Sequence, residues 1–143
     1  MTSEISFEQL DETFEGWEVD ADHGDYIRQV GPIWHRPCED SWEYGFRTTK
    51  AHLNRAGQAH GGMLATFADY AMGHAVWRLT GKKAIVTVHL GMNYIASATE
   101  NSVIRCRPEP VRLARSVCFI RADLVADDRK IATADGIWKI LGS

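Results

Sequence analysis

The chain predicts an α+β fold. Three observations carry that: one long amphipathic segment with helix signals at both ends, period-two alternation through most of the chain after it, and a single clear strand before it. At 143 residues, the length suits one domain able to bury its own core. The helix runs from Gly61 to about Leu79, opened by His60-Gly61-Gly62 and stopped by Thr80-Gly81.

The remaining elements can be taken in chain order. Residues 1–30 are acidic and weakly periodic, and form an N-terminal extension to a folded unit at 31–143. In the extension, Ser6 is placed to cap a short helix through Phe7, Leu10 and Phe14, with an aspartate-rich loop after it. Pro32 and Pro37 bracket Ile33-Trp34-His35-Arg36, which reads as a short extended segment or loop rather than a central strand. Trp42 to Leu53 alternates and is rich in aromatic and Thr residues, so it reads as a strand. After the helix, strands are expected over Lys83–Ile95, Ser102–Arg107, Val111–Ala126 and Lys130–Leu141, with a hairpin turn at Asp127-Asp128-Arg129.

Composition narrows the partners. A net charge of −3 argues against a general nucleic-acid binder. Met1 to Glu8 lacks the basic start and apolar run of a signal peptide, and no stretch has the length of a membrane span. The expectation is a cytoplasmic protein with neither membrane nor nucleic acid as partner. Cys38, Cys106 and Cys118 are widely spaced and read as free thiols. The six histidines show no metal-ligand spacing, so no metal and no cofactor are expected.

The helix start is the most informative stretch. Its first N–H groups have no intrahelical partner, and the helix dipole adds partial positive charge there. Glycine lets a ligand atom approach that backbone without meeting a Cβ. An oxyanion formed by attack on a carbonyl suits such a site.

Along the helix, Met63, Leu64, Phe67, Ala68, Ala71, Met72, Ala75, Val76 and Leu79 fall in one apolar stripe. Asp69 lies off it, among the small residues Gly62, Thr66 and Gly73. A lone acid on a helix is usually a solvated surface group, but small neighbours mean that something packs close to this one. Eight residues from Gly61 to Asp69 span roughly 12 Å at about 1.5 Å per residue. One carbonyl carbon cannot lie beside both within a single chain. If both serve one reaction, the acid comes from a second copy.

Asn54, then His60-Gly61-Gly62, then Asp69 and Ala71, then a multi-strand pattern together resemble the hotdog-fold acyl-CoA thioesterases. The likeness is to the phenylacetate-pathway-like branch of the 4-hydroxybenzoyl-CoA thioesterase superfamily, over about Gly31 to Leu141. The segment from Ile85 to Ala98, with Thr87 where the family often carries Ser or Thr, also resembles the strand after the family's helix. The resemblance implies a hotdog: a curved antiparallel sheet around one long helix, paired with a second subunit, often as a dimer of dimers. It implies an acyl-CoA substrate and a homodimer as the minimal unit, assembled into a homotetramer.

Carried over, Asp69 would be nucleophile or general base, and the Gly61 N–H would polarise the thioester carbonyl, with Gly62 beside it at the substrate. Asn54 would orient the thioester or water, Thr87 would position the attacking water, and His60 would shape the turn. Arg112 and Arg115 flank the turn-like Leu113-Ala114 and read either as solvated charge or as a clamp on coenzyme A phosphates. Trp34, Trp42 and Tyr44 either line an acyl pocket or pack the extension onto the sheet. His74 reads as a satisfied, partly buried histidine, and Asn93 and Tyr94 as plain strand residues. Two rivals stand beside the thioesterase: a non-catalytic hotdog binder of acyl thioesters or lipid-like ligands, and a hotdog dehydratase. Asp69 in mid-helix does not fit the dehydratase.

Overall fold

The computed structural model describes residues 11–20 and 22–142. Of the expected Ser6-capped helix, residues 1–10 lie outside the described residues, and its end is a 3₁₀ turn, Glu12–Phe14, capped by Asp11. The elements are α1 (Asp25–Val30), β1 (Trp34–Cys38), β2 (Ser41–Arg47), α2 (Gly61–Leu79), β3 (Ile85–Tyr94), β4 (Val103–Cys106), β5 (Glu109–Leu113), β6 (Val117–Ala126) and β7 (Arg129–Ile140). One antiparallel sheet runs β1-β2-β4-β6-β7-β3, with β5 also on β6. This is the hotdog arrangement: a sheet of seven strands around α2.

The helix ends where its caps end it. His60 is the N-cap, its ring nitrogen accepting the Gly62 N–H. At the other end the Lys82 N–H reaches the Trp77 carbonyl at 2.7 Å and the Gly81 N–H reaches that of Arg78 at 3.2 Å. Gly81 sits at φ 74, so this is a Schellman stop that glycine makes cheap. The β6–β7 hairpin turns on Asp127 and Asp128 alone, both at positive φ. That is the pattern of a two-residue turn whose twist matches its strands.

Two strand expectations are corrected. Val111–Ala126 is two strands, β5 and β6, folded back at Ala114-Arg115-Ser116. β4 and β5 then lie end to end on the same side of β6, broken at Arg107-Pro108, where proline can donate no ladder bond. Trp42–Leu53 ends early, because Lys50–His52 closes into a 3₁₀ turn whose Thr49 N–H bonds His52 Nδ1 at 2.9 Å. Within the extension, α1 stands where only an acidic loop was expected. The proline-bracketed segment is β1, an edge strand as its proline requires, whose outer side carries only the bridge between Glu18 and His35.

The core lies between α2 and the sheet. Met63, Leu64, Phe67, Ala68, Ala71, Met72, Ala75 and Val76 are buried, against Ile120, Leu124, Ala134 and Trp138 among others. Each large side chain in that stripe contributes about 1.5–3 kcal/mol by leaving water. Leu79 departs from the expected stripe at 41% exposed, because it is the last helical residue. The opposite side of α2 is covered as well: the Tyr26 hydroxyl of α1 meets Thr66 Oγ1 at 2.7 Å. Trp34 stacks on Phe14 at 5.4 Å between centroids and also lines a cavity of about 530 Å³ with Pro32 and Arg47, while Trp42 and Tyr44 pack around His35 and His74.

Candidate active site

Two places on α2 hold the residues that the sequence singles out, and the fold keeps them apart. The first is the N-terminal turn. His60 Nδ1 accepts the Gly62 N–H at 3.0 Å, which leaves the Gly61 N–H without a partner among the described residues. Of the two glycines expected at the substrate, Gly62 therefore has its N–H occupied by the cap, and Gly61 keeps a donor to offer. Tyr94, at the end of β3, donates its hydroxyl to the Gly61 carbonyl at 2.9 Å. A Cβ on Gly61 would meet that ring at 3.3 Å, so glycine is what lets Tyr94 seat there. Gly61, Leu64, Tyr94 and Ile95 share a surface cavity of about 340 Å³.

Asn54 orders the loop that leads into this turn. Its Oδ1 accepts the N–H groups of Ala56 at 2.9 Å and Gln58 at 3.1 Å, a turn typical of Asn. Its Nδ2 has no partner among the described residues and is the only part of the side chain free to face a ligand.

The second place is two turns further along. Thr87 Oγ1, on β3, donates to Asp69 Oδ1 at 2.9 Å, while Oδ2 accepts nothing among the described residues. Asp69 is half-buried on the wall of a cavity of about 620 Å³. The cavity continues along α2 past Gly73 to Trp77, with Thr87 and Trp138 opposite and Asp20 closing one side. A methyl on Gly73 would sit 3.1 Å from Trp138 Nε1, so this glycine is explained by the sheet. Gly61 does not line this cavity, nor Asp69 the other.

The wall nearest the extension holds a cluster that no sequence spacing indicates. His35 of β1 is fully buried and its Nε2 lies 3.0 Å from Asp20 Oδ1. His74 of α2 places Nε2 2.8 Å from Asp20 Oδ2 and Nδ1 2.7 Å from the Tyr44 hydroxyl. The Tyr70 hydroxyl donates to Asp20 Oδ2 at 3.0 Å. The hydrogen bond to His35, then the contact with His74, hold the Asp20 carboxyl far below its usual range. Burial, then the Asp20 charge, push the Tyr70 phenol above its own. Tyr94 is a second residue that spacing does not reveal, since only its place against Gly61 gives it meaning. Arg112, on β5, and Arg115, in the following turn, are exposed and line neither cavity.

A curved antiparallel sheet of seven strands around one long helix defines a hotdog fold. The chain belongs to the thioesterase superfamily, whose family model matches residues 56–133, more than half its length; it is a hydrolase of thioesters. It is similar to a Pseudomonas aeruginosa protein named as an esterase, 28% identical over 113 residues, 78% of this chain and 84% of that one. It also resembles a phenylacetic acid degradation-related protein of Ralstonia eutropha, named as a thioesterase. That likeness has a TM-score of 0.73 and 26% identity, covering 80% of this chain and 89% of that one. A hypothetical thioesterase of Streptococcus pneumoniae, solved with coenzyme A, shares the fold at a TM-score of 0.70 and 23% identity. It covers 78% of this chain and 87% of that one.

Proposed function

We propose that the chain hydrolyses an acyl-CoA thioester to free acid and coenzyme A, at a site built by two copies. The observation that carries this is the pairing of unfinished halves. Asp69 has one oxygen held by Thr87 and the other open to its cavity. The unpartnered Gly61 N–H belongs to a different cavity on the same helix.

In a dimer, the Gly61 N–H of one protomer binds the thioester oxygen as it becomes an oxyanion. Asp69 of the other either takes a proton from water or attacks the carbonyl carbon itself. Either way the C–S bond breaks to release a thiolate, a leaving group good enough that no serine triad is needed; where Asp69 attacks, water then hydrolyses the acyl–aspartate anhydride to the free acid and restores the carboxylate. Thr87 fixes the carboxylate and directs the water; the Asn54 Nδ2 reaches the thioester or that water. The coenzyme A seen with the pneumococcal relative supports the leaving group. Arg112 and Arg115 are the nearest candidates for its phosphates only if the partner brings them there.

The open edge of β3 supports the dimer. It is ten residues long, paired on one side, with Val86 48% and Val88 61% exposed. An unprotected apolar edge of that length normally has a partner. Exposed Val111, Leu113 and Phe119 on β5 and β6 supply a second face for a dimer of dimers. No helix among the described residues is long and apolar enough to cross a membrane.

Complementation tests this reading. Asp69→Ala and Gly61→Pro chains are each nearly inactive alone, and are mixed after co-expression or refolding. A mixed dimer contains one intact site, so random pairing restores about a quarter of wild-type thiol release, counting half the dimers with half their sites. No restoration, with mixed dimers shown to form, sinks the shared site. Wild-type chains that bind acyl-CoAs from acetyl to palmitoyl, phenylacetyl and hydroxybenzoyl without releasing thiol would establish the non-catalytic binder instead.

A further inference from the structure

We propose that Asp20, His35 and His74 form a binding site for one divalent first-row transition-metal ion of the zinc class, which fastens the N-terminal segment to the folded unit. The site is independent of the thioesterase reading. Its three groups come from the extension, from β1 and from α2, and one ligand atom of each lies within 4.8 Å of the others. The two histidine side chains are 0% and 6% exposed. Both turn Nε2 toward a single carboxylate, one to each oxygen, at 3.0 and 2.8 Å. Tetrahedral ligand atoms about 2.1 Å from an ion lie about 3.4 Å from one another. Both contacts are a few tenths of an ångström shorter than that, so a small outward shift of the three side chains admits the ion.

His74 favours an ion over a proton. Its Nε2 is buried and, despite the 2.8 Å separation, lacks hydrogen-bond geometry to Asp20 and has no other partner. A proton on that nitrogen would have no acceptor in line. A lone pair there can share a cation with the carboxylate. The Tyr44 hydroxyl at Nδ1 can accept that nitrogen's proton, leaving Nε2 free as a ligand, and Tyr70 steadies the carboxylate. Such outer partners orient metal ligands. The cavity beside Asp20 and His74 gives water and the ion a way in. His35 sets the strength. Its Nδ1 is buried without a partner, and a missing outer partner costs about 10–100-fold in affinity relative to a site with both histidines held.

The test uses the full chain stripped with chelator, then titrated with Zn²⁺ by calorimetry and with Co²⁺ by visible absorption. One ion per chain is expected, with a raised Tm and slower proteolysis between residues 11 and 24. Asp20→Asn and His74→Gln should abolish uptake. Asp69→Asn should not, which separates this site from the carboxylate in the same cavity. In wild-type protein the ring-proton resonances of His35 and His74 should move as Zn²⁺ binds, a readout that needs no variant to fold. No stoichiometric uptake of either ion at about 100 µM overturns the site and leaves a hydrogen-bonded cluster. So does a response confined to other histidines, or uptake unchanged in both cluster variants.

Discussion

The first turn of α2 and its middle turns differ in how their polar groups are held. At the start, His60 caps Gly62, Tyr94 holds the Gly61 carbonyl, and one N–H is left over. In the middle, Thr87 holds one oxygen of Asp69 and leaves the other. The start is backbone, so only a substitution that the first helical position tolerates can change it. The middle is a side chain, replaceable without touching the fold. Each region is an arranged fragment with one unused group, and in the proposed reaction these groups have opposite tasks: one stabilises negative charge, the other supplies electrons. Such a pair makes sense when joined, and the helix between them prevents joining within one chain.

Removing the side-chain half should have the largest effect. Asp69→Ala is expected to lower kcat by about 10²–10⁴, with far-ultraviolet circular dichroism and oligomer size unchanged. An active Asp69→Ala enzyme would mean that another group supplies the base or nucleophile, and the comparison would lose one side.

The backbone half can be removed almost as cleanly. Gly61 is the first helical residue, where proline fits, and His60 before it has the extended ψ of 135 that proline demands. Gly61→Pro deletes the N–H; Gly61→Ala keeps it while adding the Cβ that meets Tyr94 at 3.3 Å. The proline variant should fall about 10²–10³ in kcat, the usual cost of one oxyanion donor. The alanine variant should fall much less. Equal losses in steady-state kinetics would assign the glycine to Tyr94 packing alone.

The same division explains what is legible in the sequence. The limits of α2, its apolar stripe and its stop depend on neighbours within one turn, and Gly61–Leu79 is readable for that reason. So is the Asp127-Asp128 hairpin, where two residues determine the geometry. The boundary at Arg107-Pro108 is harder, because β4 and β5 are separate only with respect to β6. Tyr94 and Asp20 are invisible as site residues. Tyr94 lies 33 residues from Gly61 and Asp20 lies 54 from His74, with no periodicity connecting either pair. Asp69 stands out only because it interrupts a local pattern.

Thr87 tests how far the middle region depends on its single fixed hydrogen bond. Valine keeps the shape and removes the hydroxyl that Asp69 Oδ1 accepts at 2.9 Å. A hydrogen bond to a charged group contributes about 1.5–3 kcal/mol, and 1.4 kcal/mol is about tenfold in rate. Thr87→Val should therefore lower kcat by about 10- to 100-fold with KM little changed. An unchanged kcat would mean that Asp69 needs no steadying from β3.

The smallest effect on turnover is expected at His60, and it separates scaffold from chemistry at the helix start. The Nδ1 cap on Gly62 is a structural bond, worth about 1 kcal/mol if it behaves like other N-caps. His60→Ala should lower Tm by about 3–5 °C and kcat only a few-fold, since Met63 and Leu64 still bond the His60 carbonyl and keep the Gly61 N–H in place. The ratio of the two losses is what matters. A large fall in kcat with Tm unchanged would place the imidazole in the reaction itself. The first turn would then contribute a side chain as well as backbone, and the contrast between the two regions of α2 would no longer hold.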